Sequence, residues 1–233
     1  LVGASEFDNY PEEAKKIERM SNAMSINTEA IIGANPDVVI AYKDGPDGLK
    51  QIEGAGIPVF VIDSALTIDD VYGNIEQIAA VLGTEKKGTA VVEGIRQQIA
   101  AVQEKTAAVK ETKKVYFEVS PSPDIYTSGA ATFQDEILSA AGIGNVFSDQ
   151  EGWVKISEEE IINRDPAFIM TTVNYTDDPI AEIKNRPSWN SIQAVKENHV
   201  YFLDPDLFSR PGPRIGDAVE AAAKTIYPEV FPE

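Results

Sequence analysis

The sequence predicts an α/β protein of two lobes, each with a parallel sheet, joined by one long helix. A repeat is the first indication, because residues 26–42 (INTEAIIGANPDVVIAY) and residues 156–172 (ISEEEIINRDPAFIMTT) follow the same pattern. The second is the alternation of continuous apolar runs with helical segments, which is typical of parallel sheets covered on both faces. These patterns predict lobes over residues 1–83 and 113–233, with a linking helix over residues 84–112.

Each copy of the repeat reads as a helix, a proline stop and a buried strand. Asn27 and Ser157 precede the helices as capping residues, and Pro36 and Pro166 follow them. The residue before a proline is disfavoured in the helical conformation, so each helix should end there. The runs that come next, DVVIAY and AFIMTT, predict buried strands.

The linking helix is predicted from residues 84–112, where apolar residues recur at mostly helical spacing among charged ones: Val91, Val92, Ile95, Ile99, Val102 and Val109. At 1.5 Å per residue, a helix of about 28 residues would span roughly 42 Å. The segment contains no Gly-Ser or proline linker, which would give a mobile hinge. A single rigid connection is therefore expected.

Composition excludes several classes of function. Twenty basic against 38 acidic side chains give a net charge of −18, which repels nucleic acid. The absence of cysteine excludes disulfides, thiolate metal sites and cysteine nucleophiles. No apolar run approaches the roughly 20 residues that a membrane-spanning helix requires.

Motifs of common enzyme classes are also missing. GIGNVF at residues 142–147 lacks the third glycine of a dinucleotide fingerprint, and GTEKKG at residues 83–88 lacks the P-loop ending. The one histidine, His199, reads as a structural residue at the entry to a strand. We therefore predict no catalytic residues and no metal ligands. An enzyme acting on a nucleotide sugar or a metal cluster is the rival class.

Aromatic residues occupy loops at the predicted carboxyl ends of strands, where open α/β sheets bind their ligands. They are Phe7, Tyr42, Tyr126, Trp153 and Phe208. Any one of them is more often a local packing residue than a ligand contact. Five together in cleft-facing loops favour a large, flat, partly apolar ligand.

Among the basic residues of these loops, Arg210 is the candidate for contact with a ligand. Pro213 suits the first turn of the last helix, so Arg210 lies near a helix N-terminus, where a positive charge is disfavoured. A nearby anion would offset this. Asp204, Asp206 and Asp217 are candidates, and so is an anionic or carbonyl-rich part of a ligand.

Several segments together resemble one family of transport proteins. They are VGASEFDNYPEEAKKIE, NPDVVIAY, AGIPVFVID, YTSGAATFQDEILSAAGIGNVF and RPSWNSIQAVKENHVYFLDPDLFSRPGPR. The chain resembles, over essentially its whole length, the helical-backbone (class III) substrate-binding proteins of ABC importers for vitamin B12 and iron siderophores. The resemblance implies two Rossmann-like lobes, a ligand cleft between them, and delivery of the ligand to a permease.

The ligand that this resemblance implies is a metal chelate, with a corrinoid such as cobalamin ahead of a ferric siderophore or haem. The five aromatic residues match corrinoid-contacting positions of the family. A catecholate siderophore would require several basic groups, and only Arg210 is well placed. Haem would require an axial ligand, for which Tyr42 and Tyr126 are candidates. A sensor or scaffold without a ligand is a third interpretation.

Glu29 and Glu159 occupy matching positions in the two copies of the repeat. Each lies two residues after a cap, where an acidic side chain gains about 0.3 to 1 kcal/mol from the helix dipole. That explanation is sufficient alone. The resemblance implies another, in which each lobe docks through one glutamate onto arginines of a permease subunit.

The resemblance also implies the setting. The partners are an ABC permease dimer with its ATPase, and the binding protein is a monomer without a cofactor other than its ligand. The family pattern begins with a further strand and helix, after a lipoprotein signal. An extracytoplasmic location is expected, in the periplasm or anchored by lipid to the outer face of the cytoplasmic membrane.

Overall fold

The computed structural model describes residues 1–22, 24–43 and 47–232. The chain divides into two compact units, Leu1–Ser64 and Ala65–Glu233. The first unit is shorter than the lobe predicted over residues 1–83, because the helix that follows residue 64 groups with the second unit. The predicted lobe boundaries themselves stay predictions.

The first unit contains two small parallel sheets. Its elements are β1 (Ala4–Ser5), a 3-10 helix (Glu12–Lys16), β2 (Arg19–Ser21), α1 (Thr28–Ala34), β3 (Val39–Tyr42), α2 (Leu49–Gly54) and β4 (Val59–Ile62). Strand β1 pairs with β2, and β3 pairs with β4 over all four residues. The strand predicted after Pro36 is therefore present as β3, and its partner β4 lies in the run IPVFVID.

Strands β3 and β4 are less buried than their apolar sequences predict. Ile40, Tyr42 and Val61 remain 36%, 44% and 43% exposed, respectively. The expectation of strands covered on both faces is wrong for this unit. The β3–β4 sheet has only two strands, and the described elements cover it in part.

The second unit is built on one larger sheet. Its elements are α3 (Ile68–Val81), α4 (Glu85–Thr106), β5 (Lys114–Ser120), β6 (Tyr126–Ser128), α5 (Phe133–Ala140), β7 (Gly144–Asn145), β8 (Trp153–Lys155), α6 (Glu158–Arg164), β9 (Phe168–Thr171), α7 (Pro179–Lys184), α8 (Gln193–Lys196), β10 (Val200–Phe202), α9 (Pro205–Phe208) and α10 (Ile215–Ile226), with 3-10 helices at Trp189–Ser191 and Pro228–Val230. The strand order is β10-β9-β5-β6-β8, and β7 pairs with the start of β5. Strands β5, β7, β9 and β10 are parallel, whereas β6 and β8 form an antiparallel ribbon at one side.

Helix α4 corresponds to the predicted link, but it is shorter than expected. It has 22 residues and ends at Thr106, six residues before the predicted end. Val92, Ile95, Ile99 and Val102 are buried along one face, as their spacing predicts. Val91 is instead 42% exposed, and Val109 lies beyond the end of the helix. Within the described residues, neither α4 nor another helix combines the length and apolar character needed to cross a membrane.

Strand β5 is central to the packing of the second unit. Val115 and Phe117 on one face belong to the larger apolar cluster, together with residues of α4, α5 and α10. Tyr116 points to the opposite face, because side chains alternate along a strand. There its ring meets Phe147 at 5.8 Å and Trp189 at 6.2 Å between centroids. The sheet of this unit is thus covered on both faces, as predicted.

A buried ion pair lies on the same face as Tyr116. Arg186 donates two hydrogen bonds to Glu118, of 2.5 and 2.8 Å, and its guanidinium lies 4.3 Å above the ring of Trp189. The side chains of Glu118 and Arg186 are only 1% and 4% exposed. Burial raises the pKa of the Glu118 carboxyl, and the hydrogen bonds from Arg186 oppose that rise. Removing Arg186 would therefore leave a buried carboxyl group without its cation and would destabilise the folded protein.

We expect Arg186→Met to lower the free energy of unfolding by about 3 to 5 kcal/mol, because it leaves the Glu118 carboxylate buried without its cation. The double variant Glu118→Gln/Arg186→Met should be more stable than Arg186→Met alone. Lys224→Met, which removes an exposed ion pair with Glu220, is the control and should cost at most about 1 kcal/mol. Urea denaturation measures all three. Equal losses in the Arg186 and Lys224 variants would contradict this account.

Candidate functional site

Helices α1 and α6 reproduce the sequence repeat in structure. Both have seven residues, and the side chains of Asn27 and Ser157 each accept a hydrogen bond from the backbone N–H three residues on. Both helices end at a residue in the left-handed conformation, Asn35 with φ 47° and Asp165 with φ 43°. The Asx-Pro pairs therefore act as helix stops, as predicted, and each leads to a parallel strand.

The two repeated glutamates lie exposed on the first turns of these helices. Within the described residues, neither Glu29 nor Glu159 has an ion pair or a side-chain hydrogen bond. Glu158 and Glu160, the neighbours of Glu159, do have partners: Glu158 accepts from an indole N–H at 3.3 Å, and Glu160 accepts from a glutamine amide at 2.7 Å. Glu159 is thus the acidic residue of its turn that faces solvent only. The geometry fits both helix-dipole stabilisation and docking.

Two predicted ligand contacts belong to the first unit. Phe7 follows β1 and is 46% exposed, and Tyr42 ends β3 and is 44% exposed. Burial and then the negative charge of Asp8 raise the pKa of the Tyr42 hydroxyl. Asp8 is itself held by the backbone N–H of Ser5 at 2.6 Å. Tyr42 therefore stays a neutral phenol at physiological pH.

Two further predicted contacts lie on the β6–β8 ribbon. Tyr126 stands opposite Lys155, and Ser128 stands opposite Trp153. Residues directly opposite in an antiparallel pair point to the same face, so the two aromatic side chains share one face as diagonal neighbours. Tyr126 and Trp153 are 37% and 46% exposed. We call this pair the aromatic platform.

The backbone next to the platform is closely packed. Gly129 N donates to Gly152 O at 2.8 Å, which extends the β6–β8 ribbon beyond Trp153. A Cβ atom at Gly129 would collide with the carbonyl of Gln150. A glycine is therefore required here by the close approach of the two chain segments. On the other flank, Lys155 forms an ion pair with Asp124.

Phe208 does not lie where the sequence prediction placed it. Its side chain is 1% exposed and packs against Phe117, with 6.3 Å between ring centroids. Phe208 belongs to the larger apolar cluster of the second unit. The interpretation of Phe208 as a ligand contact is therefore wrong, because α9 turns this ring into the core.

Arg210 follows α9 and forms an ion pair with Asp206 at 2.8 Å. Asp206 is one of the three carboxylates proposed from the sequence. The other two are engaged elsewhere, Asp204 as the cap of α9 and Asp217 as an acceptor for Gln98. The side chain of Arg210 is still 39% exposed, and a role towards a ligand stays a prediction.

Two residues of interest were missed by the sequence analysis. Tyr175 is 68% exposed and follows β9, at the carboxyl end of a parallel strand. Its position in a post-strand loop is the signal that could have identified it. Gln134 is 7% exposed and accepts a hydrogen bond from Trp153 Nε1 at 3.1 Å. No sequence pattern indicates that contact.

His199 has the structural role that its sequence position predicts. Its ring stacks on Phe168 at 4.6 Å between centroids. Within residues 1–22, 24–43 and 47–232, no group of three His, Asp or Glu side chains is placed to hold a metal ion.

The fold is that of the solute-binding proteins of importers. A family model described as periplasmic binding protein matches residues 1–207. The chain belongs to this family, whose members are substrate-binding components of importers and not enzymes. The resemblance stated from the sequence is thereby confirmed, and the family description agrees with the expected extracytoplasmic location.

Three similar proteins illustrate the relationship. An uncharacterised ABC transporter substrate-binding lipoprotein of Bacillus subtilis, YvrC, is 39% identical over 100% of this chain and 75% of its own length. A vitamin B12-binding protein of Vibrio parahaemolyticus is 30% identical over 94% of this chain and 78% of its own. A solved structure of a possible iron-binding periplasmic solute-binding protein from Staphylococcus epidermidis has a TM-score of 0.86 and 32% identity, covering 97% of this chain and 90% of its own. The predicted α/β fold class is confirmed. The two relatives that are named for a ligand differ in it, with vitamin B12 in one and iron in the other.

Because Phe208 is a core residue, Phe208→Ala should lower the free energy of unfolding by about 3 to 5 kcal/mol. Trp153→Ala removes a half-exposed ring and should cost much less. Thermal and urea unfolding of both variants measure the difference. Comparable losses would contradict the assignment of Phe208 to the core and of Trp153 to the surface.

Proposed function

We propose that this protein captures a corrinoid outside the cytoplasm and delivers it to an ABC permease. The observation that carries the proposal is the aromatic platform, Tyr126 and Trp153. Two exposed rings on one face of a rigid ribbon offer a flat, partly apolar surface of the kind that suits a macrocycle. The relationship to vitamin B12-binding proteins supports the same ligand class. Phe7 and Tyr42 stay predicted contacts in the first unit.

Charge near the platform favours a corrinoid over a ferric catecholate. A ferric catecholate is strongly anionic, so its binding would be strengthened by cationic side chains that have no carboxylate partner. The nearby Lys155 and Arg210 are instead paired with Asp124 and Asp206. A ferric chelate of lower charge remains the second candidate, and the possible iron-binding relative supports it.

The environment of Tyr42 favours haem less than a corrinoid, because it does not assist axial coordination by this tyrosine. An axial tyrosine binds ferric haem as a phenolate, so a lowered pKa would assist coordination. Burial and Asp8 instead raise the pKa of Tyr42. Tyr126, the other candidate, is exposed beside Lys155.

Titration of the full-length protein with a ligand panel tests the proposal. Cyanocobalamin, haemin, a ferric hydroxamate and a ferric catecholate are each added, and binding is followed by calorimetry and by the absorbance of the chelate. We expect cyanocobalamin to bind most tightly. Tighter binding of haemin or of either ferric chelate would replace the corrinoid with that ligand. An enzyme of the rival class is already excluded by family membership.

Trp153→Ala should weaken cyanocobalamin binding by about 1 to 3 kcal/mol, because a stacked indole contributes both apolar area and ring contact. The free energy of unfolding should fall by only about 1 kcal/mol, because the ring is 46% exposed and its main loss is the hydrogen bond to Gln134. Leu82→Ala, which truncates another exposed apolar residue of the second unit, is the matched control. A stability loss without a change in affinity would make Trp153 a packing residue.

We further propose that Glu29 and Glu159 dock onto a permease dimer with its ATPase, and that the binding protein acts as a monomer held near the membrane by a lipid anchor. An exposed glutamate at the same place in two matching helices supplies a matching charge to each subunit of a symmetric partner. Neither glutamate is engaged within the described residues, so both are available for intermolecular contacts.

Glu29→Gln and Glu159→Gln should spare cyanocobalamin affinity but reduce ATP hydrolysis by the reconstituted transporter several-fold, most strongly at low salt. The double variant should be worse than either single one. Glu85→Gln, at the first turn of α4, is the control for the helix-dipole effect, which is worth only about 0.3 to 1 kcal/mol. Full activity in the double variant would leave that effect as the only role of the two glutamates.

A further inference from the structure

Gln134 joins the aromatic platform to the segment that precedes Arg210. It lies on the first turn of α5 and is 7% exposed. Its Oε1 accepts from Trp153 Nε1 at 3.1 Å, and its Nε2 donates to the backbone carbonyl of Phe208 at 3.1 Å. One buried side chain thus contacts both segments that carry predicted ligand residues in the second unit.

The two partners of Gln134 fix the orientation of its amide. An indole N–H can only donate, so it must face the amide oxygen, and a backbone carbonyl can only accept, so it must face the amide nitrogen. A flipped amide would lose both bonds and leave buried groups unpaired. The acceptor for Trp153 is therefore held in one place, by a helix on one side and by the core segment at Phe208 on the other.

Helix α5 is itself firmly held at this end. The buried Thr132 caps it, accepting from Asp135 N at 3.3 Å and donating to Gly129 O at 2.7 Å. Asn145 adds two bonds, to Asp135 Oδ1 and to Ser128 O, each of 2.8 Å. The base of the platform is thus tied by hydrogen bonds to the start of α5. Gln134 projects from a support that cannot shift independently of the ribbon.

We propose that Gln134 is a positioning residue for ligand binding, which fixes the indole plane of Trp153 before a ligand arrives. A half-exposed ring without this bond would sample several rotamers, and binding would then carry the entropic cost of selecting one. The inference rests on the proposed function, in which Trp153 contacts a flat chelate. It assigns Gln134 no ligand contact of its own, because the side chain is buried beneath the ribbon.

Indole N–H exchange of the ¹⁵N-labelled full-length protein tests the ordering of Trp153 without a ligand. The chain has two tryptophans, and the buried Trp189 serves as an internal reference. Gln134→Leu removes both amide bonds at similar volume, whereas Gln134→Glu keeps an acceptor for the indole. Gln98→Leu, which removes an amide bonded to Asp217 and Glu220, is the matched control.

We expect Gln134→Leu to accelerate exchange at Trp153 by about 3- to 10-fold, in line with the loss of one hydrogen bond, and to leave Trp189 unchanged. Cyanocobalamin affinity should fall by a similar factor. Gln134→Glu keeps an acceptor for the indole but, as a carboxylate, cannot donate to the Phe208 carbonyl, so its exchange and affinity should lie between those of wild type and Gln134→Leu. Gln98→Leu should change neither quantity.

An unchanged exchange rate of the Trp153 indole N–H in Gln134→Leu would overturn the inference. Faster exchange in Gln134→Leu without a change in cyanocobalamin affinity would also overturn it, provided that Trp153→Ala does weaken binding. If Gln134→Leu does not fold, unchanged exchange at Trp153 in Gln134→Ala overturns it instead. Failure of the proposed function looks different, because wild-type protein would then not bind cyanocobalamin. In that case the exchange data alone decide whether Gln134 orders the indole.

Discussion

Burial of the middle of β5, from Val115 to Glu118, on both faces is the constraint on which the second unit depends. Its apolar residues face the cluster formed with α4, α5 and α10, whereas Tyr116 and Glu118 face the opposite layer. A carboxylate on a covered face requires a cation, and Arg186 supplies it from the segment after α7. The ion pair and Trp189 close that face at β5, whereas Tyr126 and Trp153 of the β6–β8 ribbon remain partly exposed.

The β6–β8 ribbon is the part of the sheet that remains available for binding. It pairs antiparallel at the side of an otherwise parallel sheet, so its rings stand on a surface that no described helix covers completely. Rigid support from α5 and exposed aromatic rings are the combination that a binding site needs, since order in the free protein reduces the cost of association. The first turns of α1 and of α6 each expose one glutamate, and these are the residues proposed to contact a charged partner.

The sequence predicted those features that arise from local chemistry. The caps, the Asx-Pro stops and the parallel strands after them follow from short-range preferences, and they were found in both copies of the repeat. The direction of Phe208 was mispredicted because an aromatic residue near a strand end fits a core or a site equally well. The contact between Gln134 and Trp153 joins residues 19 positions apart through ribbon geometry. Such a contact depends on tertiary structure, which local patterns do not encode.

A crystal structure of the full-length protein grown with cyanocobalamin tests the central claim most directly, namely that the aromatic platform contacts a flat metal chelate. The account predicts that the indole of Trp153 packs against the corrin or its side groups, with Tyr126 in contact and the hydrogen bond to Gln134 intact. A cobalamin bound away from the β6–β8 ribbon, or an indole rotated off Gln134 to reach it, would contradict the account.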